Sequence, residues 1–364
     1  MHAASHPSEP NYIATVGGDN FGLENDGNHS IPSRIATVVD LLDSKGISWA
    51  EYLEDYQGGS APSQGASGGY VRKHDPLSSY DSVTQNQTRA ANLKSFVDFE
   101  HDLSNKRLPQ WAFFTPNIRN DGHDTGLDYA GRWLRGWLGP LLKNDYFTNN
   151  TLIVVTFDES GRSNAPNRVF TVLLGGAVPR SMHGTNSTMY FNHYSALSSV
   201  SVNWNLTSLG RWDCDANVFP PVAETANYTN TNITYGSMKW KKSYPGPLNS
   251  QAQFPPGDWP SPDTGARCAA GNGVLASIKA QWGNSTGTYN YTNVYPYDNG
   301  FRDTMGSVPA IGVKDVAGTP RVGSGAPTNA NASGGATGGS PERMGIPGAS
   351  WAGLVVGIGY LVLQ

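Results

Sequence analysis

Apolar residues recur with the 3.6-residue period of an amphipathic helix in three parts of the chain, and a fourth part is also typical of a helix. In the first, Ser33 can cap the opening turn and Gly46 follows the last turn. The third is rich in tryptophan, and Pro140 must bend it or end its regular part. The four predicted helices span 33–45, 90–103, 127–142 and 193–204.

Strands are predicted between these helices. The runs 152–157 and 169–174 are apolar along most of their length, which is typical of a strand covered on both faces. Shorter candidates are 47–51 and 110–115. Because strands alternate with helices, we expect an α/β fold with a mainly parallel sheet between layers of helices.

Composition divides the chain into four predicted parts. Residues 1–220 form the α/β core, and 221–311, rich in Pro, Asn, Gly, Ser and Thr, form an irregular extension that packs on it. A Gly/Ser/Pro linker follows over 312–348, and the hydrophobic tail 349–364 ends the chain. The tail is shorter than the ~20 residues that a helix needs to span a bilayer. Before the tail come a small-residue stretch, in which Ser333 is a candidate attachment site, and then a polar spacer. This order of segments predicts a cleaved glycosylphosphatidylinositol (GPI) anchor signal. The alternatives are a buried C-terminal helix and a short membrane anchor.

Charge and sequons indicate a secreted or cell-surface glycoprotein. The net charge is −4 and no basic run occurs, so nucleic acid is not an expected partner. Ten Asn-x-Ser/Thr triplets predict N-glycosylation; they begin at Asn28, Asn86, Asn149, Asn186, Asn205, Asn227, Asn232, Asn284, Asn290 and Asn331. The first residues lack the apolar region of a signal peptide, so we expect a natural start further upstream. Cys214 and Cys268 are either two thiols or one disulfide, and the signs of secretion favour the disulfide.

Ser8 is the first candidate for chemistry. It lies where Glu9 and Pro10 begin a predicted helix, and a helix N-terminus favours an alkoxide or a phosphate nearby. A serine hydroxyl needs a base, a metal ion or a positive potential before it attacks phosphorus. The alternative is a plain helix-capping serine.

Acids and imidazoles follow the predicted strands. Asp158 and Glu159 end an apolar run, where a turning backbone lets both carboxylates face one divalent cation; the alternative is an exposed pair at a loop mouth. Asp121 and His123, one residue apart, could grip a metal ion or a phosphate. His193 precedes a helix, and His74 has cationic neighbours suited to a phosphate; each histidine could also be structural. Ligands of parallel sheets gather at the carboxyl ends of strands.

Four motifs in this order resemble the phosphoesterase family of fungal secreted acid phosphatases and bacterial phospholipases C. They are His6-Pro7-Ser8-Glu9-Pro10-Asn11-Tyr12, Asn120-Asp121-Gly122-His123, Thr156-Phe157-Asp158-Glu159 and Asn192-His193-Tyr194-Ser195.

The resemblance implies an alkaline-phosphatase-like fold and a seryl-phosphate intermediate at Ser8. It also implies a divalent metal ion held by Ser8, Asp158 and Glu159, with Asp121 as a further metal ligand. His123 and His193 are the implied catalytic groups that contact the phosphate or transfer a proton. His74 and Asn11 are the implied ligands of the substrate phosphate.

One departure from the family concerns the metal site. The family carries a Glu-Asn pair on a first strand before the heptapeptide, and this sequence begins too late to include it. Glu24 and Asn25 match the pair in residue type but not in position, because they follow Ser8 in a Gly-rich loop. We therefore expect an acid phosphatase that hydrolyses phosphomonoesters. The alternatives are a phosphodiesterase of phospholipase C type and a non-catalytic surface glycoprotein that lacks part of the metal site.

Overall fold

The computed structural model describes residues 1–27, 29–58, 69–161, 167–232, 245–251 and 253–285, and the backbone of three further short strands. The strands of the described chain are β1 (Trp49–Leu53), β2 (Leu93–Ser95), β3 (Trp111–Thr115), β4 (Thr151–Thr156), β5 (Thr171–Leu174), β6 (Lys239–Trp240), β7 (Phe301–Arg302) and β8 (Gly353–Ile358). Six of them form one sheet in the order β2-β1-β3-β8-β4-β5. β5 runs antiparallel to β4, and all other neighbours in this sheet are parallel. The predicted α/β class with a mainly parallel sheet is confirmed.

The helices flank this sheet. The α-helices are α1 (Ser8–Gly17), α2 (Val38–Asp43), α3 (Asp81–Thr84), α4 (Gln87–Ala90), α5 (Phe96–Ser104), α6 (Leu127–Leu141), α7 (Asp145–Thr148), α8 (His193–Asn203), α9 (Pro220–Thr225) and α10 (Ala276–Trp282). Short 3₁₀ turns span Arg72–His74, Leu77–Ser79 and Arg180–Met182. None of the helices in the described ranges is long and apolar enough to cross a bilayer.

The side chains of β3 show how the core is divided. Trp111 and Phe113 pack into a cluster with residues of α1, α2 and α8 on one face of the sheet. Ala112 and Phe114 point the other way and pack with residues of α5 and α6. This alternation follows from the two-residue period of a strand, and because both faces are covered the strand is apolar throughout.

Two predicted helices differ from the structure at their starts. The range 90–103 contains the end of α4, then β2, and only then α5, which begins at a capping box between Ser95 and Asp98. Leu93 of β2 pairs with Glu51 of β1, so sheet pairing overrides the helical pattern there. In the range 33–45, α2 begins only at Val38, after another capping box. Pro140 is accommodated inside the last turn of α6.

The predicted anchor segment 349–364 contributes backbone to the sheet. Its strand β8 lies between β3 and β4 and is parallel to both. The rest of this segment and the linker 312–348 lie outside the described residues. The anchor signal therefore stays a prediction.

Cys214 and Cys268 form a disulfide with a Cα–Cα distance of 4.3 Å, which confirms that prediction. Backbone hydrogen bonds join the same two segments, from Ala269 N–H to the Cys214 carbonyl and from Asp263 N–H to the Gly210 carbonyl. The closed loop spans 54 residues, for which the chain-entropy estimate is about 4 kcal/mol of stabilisation. The disulfide fastens this part of the irregular extension to the core.

Candidate active site

Ser8 is the first residue of α1, and every residue of this helix is buried. The preceding loop is held by Asn11, whose Oδ1 accepts the backbone N–H groups of Ala4 and Ser5 at 2.8 and 3.0 Å. The Asn11 Nδ2 group donates to the carbonyls of Ser5 and Pro7, both at 3.0 Å. These four hydrogen bonds use all the donors and acceptor positions of the Asn11 side-chain amide. Asn11 therefore positions the loop before Ser8, and the predicted contact with a phosphate would require it to release the loop.

Asp158 follows β4 directly and lies beside Ser8. Burial raises the pKa of its carboxyl to about 7; the charge of His74 and a hydrogen bond with the Ser8 side chain oppose the shift, and Glu159 adds to it. Among the described residues, neither carboxylate oxygen has a hydrogen-bond partner of good geometry, so the Ser8 contact is a loose one. The structure thus brings Ser8, Asp158 and His74 together from α1, β4 and the 72–74 turn.

Glu159 faces the same loop as Ser8. Its Oε2 forms an ion pair with Nδ1 of His6, two residues before the serine. Asp158 and Glu159 therefore both turn towards the heptapeptide, as expected where a strand ends. His6 belongs to the heptapeptide, but its residue type and position do not by themselves indicate this contact.

A divalent cation can be tested against these donors. A buried carboxylate, an adjacent carboxylate and a hydroxyl are hard oxygen donors that suit such an ion. Within the described ranges, no three acidic, histidine or cysteine side chains are grouped closely enough to hold a metal ion. The oxygens of Asp158, Glu159 and Ser8 suit such an ion in type, but the described side chains do not by themselves complete a metal site.

His74 and Asp121 form a buried pair, with 2.8 Å between Nδ1 and Oδ2. The ring of Tyr12 stacks on His74 with centroids 5.2 Å apart, which fixes the imidazole from the side of α1. The second oxygen of Asp121 accepts a hydrogen bond from the backbone N–H of His123 at 2.8 Å. Asp121 therefore orients the two histidines, and its predicted place as a metal ligand gains no support from these contacts.

His123 lies at the edge of the group, with its side chain 33% exposed. Its Nδ1 is 2.8 Å from Oδ1 of Asp124, and its Nε2 is 3.0 Å from Nζ of Lys73. An ammonium group can only donate, so Nε2 accepts and the ring hydrogen lies on Nδ1. These contacts hold the His123 ring between a lysine ammonium group and a carboxylate.

His193 is fully buried, and its Nε2 donates to the main-chain carbonyl of Asp158 at 2.6 Å. Burial lowers the pKa of this imidazole to about 4; the bond to the carbonyl opposes that shift, and the N-terminal amino group adds to it. The ring is therefore neutral at mildly acidic pH. His193 holds the main chain at Asp158, and its predicted part in proton transfer stays a prediction.

Glu24 and Asn25 lie apart from these groups. The Glu24 carboxylate accepts the Ser250 N–H at 3.2 Å, and Asn25 Oδ1 lies 2.7 Å from Nε2 of His29. Glu24 therefore links the loop after α1 to the extension, whereas Asn25 bonds within that loop.

Asp26, Lys73 and Glu9 also lie around the start of α1, and the sequence alone assigned them no role. Asp26 accepts the backbone N–H of Glu9 at 2.9 Å and bonds Lys73 at 3.0 Å. Burial raises the pKa of Glu9 to about 8, although Arg72 opposes the shift. The cationic run before His74 was the signal for Lys73, whereas nothing in the local sequence marks Asp26.

A serine hydroxyl with carboxylates and imidazoles at the carboxyl edge of a parallel sheet is the arrangement of an α/β hydrolytic enzyme. The chain belongs to the Phosphoesterase family, whose model matches residues 1–207. This confirms the resemblance and the expectation of a phosphoric ester hydrolase.

Curated relatives agree with the family. The chain is 47% identical over 306 residues to "Acid phosphatase" of Aspergillus fumigatus, covering 82% of this chain and 68% of that protein. It is 45% identical to "Acid phosphatase" of Aspergillus niger, over 84% of this chain and 74% of the relative. It is 44% identical to "Phosphate-repressible acid phosphatase" of Penicillium chrysogenum, over 81% of this chain and 72% of the relative.

Proposed function

We propose that this protein is an acid phosphatase that hydrolyses phosphomonoesters through a phosphorylated Ser8. The observation that carries the proposal is the contact between the Ser8 hydroxyl and the buried carboxylate of Asp158. The names of the relatives support the monoester substrate.

The reaction divides into two displacements. The Ser8 oxygen attacks phosphorus, the P–O bond to the alcohol breaks, and the proton that Ser8 loses is balanced by the proton that the leaving alkoxide takes up. Water then attacks the seryl phosphate and releases inorganic phosphate with the free serine. His123 is the group that we assign to the leaving alcohol, because it is partly exposed, whereas His193 is fully buried and bonded to the Asp158 carbonyl.

The acids around Ser8 support a divalent cation. Asp158, Glu159, Asp121 and Asp26 face a few cationic groups, so a phosphate dianion would be repelled from the described side chains alone. A cation held by Asp158, Glu159 and the Ser8 oxygen would supply the positive potential that admits phosphate and favours the serine alkoxide. The side chains of this chain then hold the nucleophile and exclude bulk water, because Ser8, Asp158 and His74 are all buried.

The test is a Ser8→Ala variant with p-nitrophenyl phosphate as substrate. Loss of turnover is expected, together with loss of the acid-stable phosphoryl label that a substrate labelled at phosphorus leaves on the wild-type protein. Ser198→Ala is the matched control, since it also removes a buried hydroxyl, on the neighbouring helix α8. Unchanged turnover in the Ser8 variant would refute the proposal.

The rates of diester and monoester cleavage distinguish the proposed phosphatase from a related phosphodiesterase. A phosphodiesterase of phospholipase C type would cleave bis(p-nitrophenyl) phosphate or a phosphatidyl lipid faster than the monoester. A purified protein that binds no divalent ion and cleaves neither ester would be the non-catalytic surface glycoprotein.

The proposal includes secretion and N-glycosylation. The asparagines of seven sequons fall in the described ranges, and each is exposed: Asn86, Asn149, Asn186, Asn205, Asn227, Asn232 and Asn284. Exposed sequons are open to a glycosylating enzyme. A mass decrease after treatment with peptide N-glycosidase would support these sites, and phospholipase release from membranes would support the lipid anchor.

A further inference from the structure

Lys73 places a fixed positive charge at the edge of the site. Its Nζ lies 3.0 Å from Oδ2 of Asp26 and 3.0 Å from Nε2 of His123. Asp26 in turn accepts the N–H of Glu9, the residue that follows Ser8. Two hydrogen bonds therefore connect the ammonium group with the start of the helix that carries the nucleophile.

Arg72, the neighbouring cation, is used differently. Its Nη2 donates to the carbonyls of His29 and Ser78 at 2.6 and 3.3 Å, and the residue is buried. The guanidinium group thus joins the loop at His29 to the turn at Ser78, and its charge also acts on Glu9. Of the two cations that precede His74, Lys73 is the one that contacts an active-site imidazole.

The bonding of Lys73 leaves capacity for a ligand. An ammonium group has three N–H donors. Two of them are accounted for by Asp26 and His123, and the described residues provide no acceptor for the third. The side chain is 13% exposed, so the group is anchored and still reaches solvent.

We propose that Lys73 binds a phosphate oxygen of the substrate and favours the dianion of a monoester over the monoanion of a diester. The inference rests on the proposed function and names a specificity residue for it. A fixed ammonium group interacts more strongly with two negative charges than with one, and the surrounding acids keep it oriented.

The experiment compares Lys73→Met, Lys73→Arg and a control, Lys94→Met. Lys94 is also a partly buried lysine bonded to a carboxylate, Asp102 at 2.6 Å, but it contacts none of the groups around Ser8 described above. The readouts are the inhibition constant of inorganic phosphate and the kcat/KM values for p-nitrophenyl phosphate and bis(p-nitrophenyl) phosphate. Circular dichroism and thermal unfolding establish that each variant is folded.

Lys73→Met is expected to weaken phosphate inhibition by about 10- to 100-fold, as for the loss of a charge-assisted hydrogen bond. The monoester should lose more kcat/KM than the diester, Lys73→Arg should recover part of the loss, and Lys94→Met should match the wild type. An unchanged inhibition constant in folded Lys73→Met overturns the inference while wild-type turnover leaves the phosphatase proposal intact.

A second comparison separates direct contact from an effect through His123. In a His123→Ala background, Lys73→Met should still weaken phosphate inhibition. If it has no effect there, the lysine acts only by holding the imidazole, and the inference is wrong. If the wild type shows no turnover, the proposed function fails, and calorimetric titration of inorganic phosphate into wild type and Lys73→Met still decides the role of the lysine.

Discussion

Asn11→Ala should disable catalysis through the loop before Ser8. The substitution removes four hydrogen bonds in a fully buried setting and leaves the N–H groups of Ala4 and Ser5 without acceptors. At about 1 kcal/mol for each bond, the free energy of unfolding should fall by roughly 4 kcal/mol. Because the loop leads directly into Ser8, a displacement of ~1 Å should also lower kcat by about 100-fold.

Asn217→Ala provides the matched control. Asn217 is also buried, and it clamps a loop by donating to the carbonyls of Tyr190 and Thr231 and by accepting the Thr231 N–H. These three bonds predict a similar loss of about 3 kcal/mol with little change in kcat. The assays are guanidinium unfolding and initial rates on p-nitrophenyl phosphate at a temperature where both variants are folded. If both variants lose stability and Asn11→Ala keeps the kcat of the control, the positioning argument is refuted.

Three further predictions concern charge, metal and disulfide. Burial and the charge of Asp75 raise the pKa of Glu51 well above its usual range, so its folded form favours the proton, and stability is present at low pH and lost as pH rises. The stability of Glu51→Gln relative to wild type, measured by guanidinium unfolding, should therefore increase from pH 5 to pH 8. A difference in free energy of unfolding that stays constant over this pH range would contradict the prediction. Removal of divalent ions with a chelator should abolish turnover and lower the unfolding temperature of wild type. Asp158→Asn should be insensitive to the chelator, and an equal response in both proteins would count against a cation at this carboxylate. Replacing Cys214 and Cys268 by serine should lower the free energy of unfolding by about 4 kcal/mol in chemical denaturation, whereas an unchanged midpoint would exclude a stabilising disulfide.

The pattern of apolar residues predicted four of the six strands of the main sheet, because strands inside a layered fold are rich in apolar residues. The run 152–157 became β4 at Thr151–Thr156, and 110–115 became β3 at Trp111–Thr115. Helix starts were less predictable. The residue types of Ser95 and Asp98 are those of a capping box. That α5 begins there, however, depends on the pairing of Leu93 with β1, which is a contact between distant parts of the chain.

The candidate site shows the same division. Ser8, Asp158 and Glu159 were identified from residue type and position, and the structure places all three at one loop. The roles of Asn11 and His193 could not be found in that way. Both are polar residues in motifs, and only the atoms around them show that one holds a loop and the other holds the Asp158 carbonyl.

By itself, the sequence determined the α/β class, the family and the short set of acids, imidazoles and one serine from which an active site can be made. These properties depend on residue type and on spacing along the chain. Only the tertiary structure decided which polar atoms meet: Lys73 with His123, His6 with Glu159, and Asp121 with His74. The physical reason is that hydrogen bonds and pKa shifts depend on distances of a few ångströms and on burial, and both arise only when remote segments pack together.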